Sequence, residues 1–361
     1  MAAVTVTRDN VLGHRARAQG LTGQDDVAGL LATGVQDTPA GTSVTALAVR
    51  RAPRPHATRI VWSWRGAPHV HPEKDLKRIA AATWPVDDAD ATRRISNPRI
   101  KDGARRGIEA FTAAATALRE AVTEKLPKGE VSRRVSAAVP DDLNFDCPTC
   151  ESRHISGGLF QLVGAAAGVE VVTEGRSTFL KPLPAALRGP VPAVATGLDE
   201  MIMRYLRVNG PASTAALAAY AGMSATAVKR CLPDGLEEVV TPAGKAWMPA
   251  GLVEELASAA RPELVRLLPG GDPWLTVRDR ELVVPDPVRH KEVYKALSNP
   301  GVVLADGDVV ATWRAKLARK VLSIEVTAFS PLPAGVRQQV ADEARVVASA
   351  RGADEAAVRF L

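Results

Sequence analysis

Cys147-Pro148-Thr149-Cys150, followed by His154, sets two thiols and an imidazole within eight residues. Two thiolates and one imidazole are three of the four ligands of a tetrahedral zinc site. The nearby groups able to close it are Asp142, Asp146 and Glu151, and no second CxxC or HxxxH completes the pattern. The spacing predicts a metal-free turn ahead of a helix from Ile155, with zinc bound by Cys147, Cys150 and His154 as the competing reading. A second cluster is His69 and His71, at period two beside Trp62 and Trp64. One face could carry both imidazoles, yet alternating aromatic residues on a strand more often pack half-buried, and further metal ligands for the pair cannot be placed.

The elements that must hold these residues follow from periodicity and punctuation. From Gly197 to Leu206 apolar residues recur at helical spacing until Gly210-Pro211 stops them. Ser213 is placed to cap a helix to Tyr220, and Ser224 a helix from Ala225 to Leu232. Strands follow at Leu236 to Thr241 and Ala246 to Met248 around Pro242-Ala243-Gly244-Lys245. Helices followed by a hairpin give the winged-helix order, and it recurs twice upstream. The first copy has a helix capped by Asp9 and running to about Gly20, helices from Asp25 to Leu31 and Thr42 to Arg51, then the strand Ile60 to Trp64 turning at Arg65-Gly66. The second has helices Gly107 to Lys125, Ser132 to Val139 and Ile155 to Ala167, then strands Val169 to Val172 and Ser177 to Leu180. Four prolines between Lys181 and Thr196 mark a stiff linker. Beyond about residue 265 the period becomes two: Glu281 to Val284, Val302 to Leu304, Val309 to Trp313 and Val321 to Val326 read as strands, with Asp306-Gly307 as a hairpin turn and a closing helix from Ala334 to about Arg351.

The expected architecture is α+β: three tandem winged helices, at 1–88, 89–183 and 197–250, a Pro-rich linker at 184–196, and a β-rich partial barrel at 251–361. A chain of 361 residues has room for several cores. Its composition, 46% hydrophobic and 24% charged, excludes disorder and a membrane bundle. Three cysteines fit a reducing compartment, and the first residues lack the apolar run of a signal peptide, so a cytoplasmic protein is expected. The net charge of +6 is local: 17 basic residues face 11 acidic ones through residue 110, and the remaining 251 residues balance at 29 against 29. A polyanion would meet the N-terminal third.

Several runs resemble the winged-helix DNA glycosylases of the AlkZ type. They are Arg266-Leu267-Leu268-Pro269-Gly270-Gly271-Asp272-Pro273-Trp274, Arg278 to Pro285, Val302 to Gly307 and Thr312-Trp313-Arg314, with the Val11 to Leu21 helix and Gly34-Val35-Gln36-Asp37-Thr38-Pro39 at the other end. The resemblance covers nearly the whole chain. It implies a C-shaped stack around duplex DNA and hydrolysis of the N-glycosidic bond of N7-alkylated purines, interstrand crosslinks included. The family motif is Gln, an apolar residue, then Gln or Asp; here the positions read Gly34, Val35 and Gln36. N7 alkylation makes the base cationic, so it leaves without protonation, and the protein must place a water and tolerate an oxocarbenium-like centre. An amide can orient that water but is too weak a base to deprotonate it. Gln36 would act alone or with Asp37, whose carboxylate could polarise water or stabilise the cation; the plainer reading makes Asp37 or Thr38 a helix cap.

The same resemblance makes the basic residues candidates for phosphate contact: Arg15 and Arg17, Arg50 and Arg51, Arg93 and Arg94, Arg99 with Lys101, Arg105 with Arg106, Arg153 with His154, and Lys316 and Arg319 in the Lys316 to Lys320 turn. Solvated faces and turns are the competing reading for each. An aromatic content of 4% disfavours a single-strand binder that stacks many bases. The expectation is a monomeric, monofunctional DNA glycosylase with no cofactor that binds double-stranded DNA, is not membrane-bound and joins the nucleoid when on DNA. The alternative is a non-catalytic winged-helix DNA-binding protein.

Overall fold

The computed structural model describes residues 3–23, 26–52, 55–295 and 298–361. Its chain folds as two compact units. One comprises Met1–His56, Met203–Ala216 and Asp234–Leu361, the other Ala57–Ile202 and Leu217–Pro233.

The first unit is organised by a five-stranded sheet in the order Val265–Leu268, Gly301–Ala305, Asp308–Ala318, Val321–Ala328, Glu355–Phe360. The first three pairings are antiparallel and the last is parallel. Val309, Ala311 and Trp313 point into the core, as do Leu322, Ile324 and Val326, so the period-two reading holds on both long strands. Asp306 and Gly307 take φ of 48° and 86°, the left-handed pair that a two-residue hairpin requires. The helix Ala334–Ala350 buries Val340, Ala344 and Val347 at helical spacing and packs on both outer strands, Val265–Leu268 and Glu355–Phe360. A smaller sheet pairs Val4–Thr5 in parallel with Leu236–Thr241, which is antiparallel to Gly244–Pro249.

Four readings in this unit are corrected. Glu281 to Val284 is not a strand; Arg280–Val283 is a helical turn. A four-residue apolar run cannot distinguish the two by pattern, and the helical turn sends Leu282 and Val283 into different apolar clusters. Thr7 rather than Asp9 caps the first helix, Arg8–Ala18, with Asn10 reciprocating in a capping box. The second helix is Ala28–Thr33; the expected start, Asp25, lies outside the described residues. The third, Thr42–Ala48, stops short because Arg51 takes a left-handed φ of 58°.

The second unit packs the helices Ile108–Ala121 and Lys128–Ala138 around Phe111, Leu118, Val131 and Val135, with Trp62 and Trp84. Three hairpins surround this core: Thr58–Trp62 with Pro68–Pro72, Asn144–Cys147 with Ser152–Ile155, and Val169–Glu174 with Ser177–Pro182. The helix read from Ile155 to Ala167 is in fact the strand Ser152–Ile155 followed by the helices Gly157–Leu162 and Gly164–Ala167. Ile155 is drawn into the ladder opposite Asn144. Gly164 approaches Trp62 so closely that a Cβ there would sit 2.9 Å from the tryptophan Cβ.

In the stretch from 197 to 250 the helices Leu198–Asn209, Thr214–Ala221 and Ala225–Arg230 precede the hairpin Leu236–Thr241 and Gly244–Pro249. Ser213 and Ser224 accept hydrogen bonds from Ala216 and Ala227, as their spacing predicts. No helix among the described residues is long and apolar enough to cross a membrane.

Candidate functional site

The segment Gly34 to Arg50 lies in the first unit. Gly34 ends the helix Ala28–Thr33 with φ 95° and ψ 128°, a backbone region essentially reserved for glycine. The two-residue strand Val35–Gln36 follows, with Val35 buried and Gln36 half-buried. Asp37 Oδ1 accepts three hydrogen bonds, from the backbone of Gly41 at 2.9 Å and Ser43 at 2.9 Å and from the Ser43 hydroxyl at 2.7 Å. These donors sit at the start of the helix Thr42–Ala48, so Asp37 caps it from outside the helix. The chain is thereby pinned immediately after Gln36. On its other side, Gly271 comes so near that a Cβ would lie 2.8 Å from the Thr38 carbonyl.

Arg50 fixes the far end of the segment. Its guanidinium donates to the Gln19 carbonyl at 2.7 Å, to the Ala46 carbonyl at 2.7 Å and to Gln19 Oε1 at 3.2 Å. It also forms a bidentate pair with Asp272, at 2.7 and 2.9 Å. Neither side chain of the pair touches solvent. Arg15 is treated likewise, donating to Asn209, Gly210 and Pro211 carbonyls and pairing with Asp279. Every donor of the Arg50 fork has a partner, which is what a buried guanidinium requires. Sequence reasoning placed Arg15 and Arg50 among phosphate contacts; the structure corrects this, since both are interior braces. It missed their partners, Asp272 and Asp279. The one local signal was Asp272 before Pro273, a helix start at which Asp272 Oδ1 caps Trp274 at 2.9 Å.

Two further sequence candidates in this unit are partly exposed and internally paired, Arg17 near Glu255 and Arg51 with Glu343. Burial pushes the Glu343 carboxyl up, opposed by Arg266 and Arg51 beside it. Lys316 and Arg319 stand exposed at the end of the hairpin Asp308–Ala318 and Val321–Ala328, where Arg319 and Lys320 form a left-handed turn.

The basic residues of positions 1 to 110 are divided between the two units at residue 56. In the second unit Arg94 turns inward to Asp90 at 2.7 Å and donates to the Thr83 carbonyl at 2.7 Å, a correction to its surface reading. Arg93 and Lys101 are exposed; Arg99 lies over the Phe145 ring at 4.9 Å. Arg105 pairs with Asp102, and Arg106 with Asp142 and Glu109. Arg230, in the helix Ala225–Arg230, pairs with Asp87. His69 and His71 are buried rather than half-exposed, and both sit 3.0 Å from the Ser63 hydroxyl. Burial, with Arg65 and His71 alongside, holds the His69 imidazole well below its ordinary range. A pair so enclosed offers no imidazole face to a DNA backbone.

The cysteine cluster lies on the hairpin Asn144–Cys147 and Ser152–Ile155. One ligand atom from each of Cys147, Cys150 and His154 falls within 4.8 Å of the others. Backbone N–H groups of Cys150 and Thr149 and the His154 side chain lower the Cys147 thiol to about 6, and Cys147 in turn raises Cys150. Arg153 is exposed and pairs with Asp141 at 2.8 Å and Asp146 at 3.2 Å.

Among solved structures, Streptomyces sahachiroi DNA glycosylase AlkZ shares this fold with a TM-score of 0.72 and 22% identity, covering 99% of this chain and 100% of that one. None of the curated proteins compared matches the chain. A family model described as DNA glycosylase AlkZ-like matches residues 40–350, a span that begins just past Gln36 and takes in Arg50, Asp272 and the cysteine hairpin. The chain belongs to the AlkZ-like DNA glycosylase family.

Proposed function

We propose that this chain is a monomeric, monofunctional DNA glycosylase that hydrolyses the N-glycosidic bond of cationic N7-alkylated purines in duplex DNA, crosslinked purines included. Family membership over residues 40–350 is the observation that carries the reading. In it, Gln36 orients the attacking water through its amide, accepting one hydrogen and donating to the oxygen. Asp37 is the positioning residue: its bonds to Gly41 and Ser43 fix the strand that carries Gln36. Its negative charge favours the cationic sugar centre that forms as the base departs. The alkylated base carries its own positive charge, so no strong general acid is needed. Exposed Arg17, Arg51, Arg93, Arg153, Lys316 and Arg319 are the candidates for phosphate contact.

The test is release of free base from a duplex containing N7-methylguanine. Gln36→Ala is expected to lower the single-turnover rate by about 100-fold or more, the scale of losing a group that acts on the reacting water. Unchanged release in Gln36→Ala would remove that residue from the mechanism. A second reading is favoured by Gly34, which replaces the first amide of the family motif with a residue that carries no side chain. Under it the protein binds duplex DNA without cutting. Salt-sensitive duplex binding with no base released by the wild type would establish that alternative.

A further inference from the structure

The hairpin Asn144–Cys147 and Ser152–Ile155 pairs Phe145 with His154 and Cys147 with Ser152. Directly opposed residues of a ladder project to the same face, as do residues two apart on one strand. Phe145, Cys147, Ser152 and His154 therefore share a face. The turn from Pro148 to Glu151, with Glu151 at a left-handed φ of 50°, carries Cys150 back so that the three ligand atoms converge within 4.8 Å. A tetrahedral ion with zinc–sulfur bonds of about 2.3 Å holds two sulfurs roughly 3.8 Å apart. The gap is within the reach of side-chain rotation in a short exposed turn.

Two details orient these groups as ligands. His154 Nδ1 lies 2.7 Å from the Ile155 carbonyl. A proton on Nδ1 donates to that oxygen and leaves the lone pair of Nε2 free to bind a metal, which is how metal-bound histidines are normally held. Phe145 fixes the ring by an edge contact at 4.9 Å.

We propose that Cys147, Cys150 and His154 bind one Zn2+ ion, with solvent in the fourth position. Two thiolates and a neutral imidazole match the charge and softness of zinc, whereas hard oxygen-seeking cations lack ligands here. Binding forms two zinc–sulfur bonds and one zinc–nitrogen bond, and any proton still on a thiol passes to solvent. The ion clasps a four-residue turn whose ends are already paired, so it stiffens the hairpin tip that presents Arg153. This site is independent of glycosidic-bond chemistry and holds whether or not the chain releases base.

The experiment uses the full chain, purified without a histidine tag and under reducing conditions, loaded with Zn2+ or Co2+ and dialysed. Elemental analysis is expected to give one zinc per chain, and cobalt loading to give thiolate-to-cobalt charge-transfer bands. Zinc should shield two of the three cysteine thiols from alkylation, and a chelator should restore them. Cys147→Ser and Cys150→Ser are each expected to weaken binding by about 10-fold or more, while Cys231→Ser keeps it. Absence of cobalt–thiolate bands, zinc lost equally in Cys231→Ser, or isolation of Cys147 and Cys150 as a disulfide would each overturn the proposal. The alkylation pattern of the unmutated chain decides the matter even if a serine variant fails to fold.

Discussion

Arg50 finds its carboxylate 222 residues away at Asp272, and both side chains are sealed from water. His154 meets Cys147 across seven residues of one hairpin and stands half in solvent. The first region, Gly34 to Arg50, is capped locally by Asp37 but braced at its far end by a contact that exists only once the whole unit has folded. The second, Cys147 to His154, is held by its own turn and ladder. The difference predicts different failures: the first should resist local change and collapse when a distant partner is removed, whereas the second should change locally with little consequence elsewhere.

Arg50→Ala is the sharpest way to break this contrast. It leaves the Asp272 carboxylate buried without its cation, and losing one member of a buried pair costs about 3–5 kcal/mol. Urea denaturation should show that loss. The double variant Arg50→Met with Asp272→Leu should recover much of it, because two apolar residues carry no stranded charge. A cost in Arg50→Ala no larger than that of an exposed ion pair would mean the pair does not brace the segment.

Gly34→Gln comes next. It would restore an amide to the family pattern, but at φ 95° and ψ 128° any side chain is strained. The expected cost is about 1–3 kcal/mol in stability, with no gain in base release. Increased base release from this variant would show that the strand can readjust, and that Gln36 is less tightly placed than the Asp37 cap implies.

These two positions also mark where the sequence could and could not be read. Asp306-Gly307, Ser213, Ser224 and the period-two strands at Val302 to Leu304, Val309 to Trp313 and Val321 to Val326 were legible because each is decided by neighbours within a few residues, whereas the short run Glu281 to Val284 was not. Cys147, Cys150 and His154 were legible as a group for the same reason, although their convergence depended on a turn that spacing alone does not specify. Arg15, Arg50 and Arg94 were misread because a sequence shows that a residue is charged and not that it is buried. Asp279, Asp272 and Asp90 balance their charge in the interior, and the first two lie in a different part of the chain. Gln36 reads as an isolated amide until Asp37 is seen to pin the strand beneath it.

A third test uses pH. The unfolded chain binds a proton on His69 near 6.5, and the folded chain does so only at lower pH, since burial disfavours the charged ring. Stability contributed by this group is therefore intact above 6.5 and falls as the pH drops below it, with a slope of at most about 1.4 kcal/mol per pH unit for a single proton. Urea titrations between neutral and mildly acid pH should show the slope, and His69→Gln should flatten it. A slope unchanged by that substitution would assign the acid sensitivity to another group.

The smallest expected effect on stability separates the two regions most cleanly. Arg153 is exposed, and its partners Asp141 and Asp146 are more so, with side chains 84% and 85% accessible. Exposed pairs of this kind add little, so Arg153→Ala should leave the urea midpoint where it is. If Arg153 also meets a phosphate, the same variant should lower the slope of log affinity for duplex DNA against log salt by about 0.9, the signature of one lost contact. Arg50→Met paired with Asp272→Leu makes the opposite prediction: a buried fork whose every donor is internally bonded has no phosphate to release, so the salt slope stays fixed. One arginine is then read by denaturant and the other by salt. A salt slope that follows Arg50, or a urea midpoint that follows Arg153, would reverse the assignment of brace and contact between the two regions.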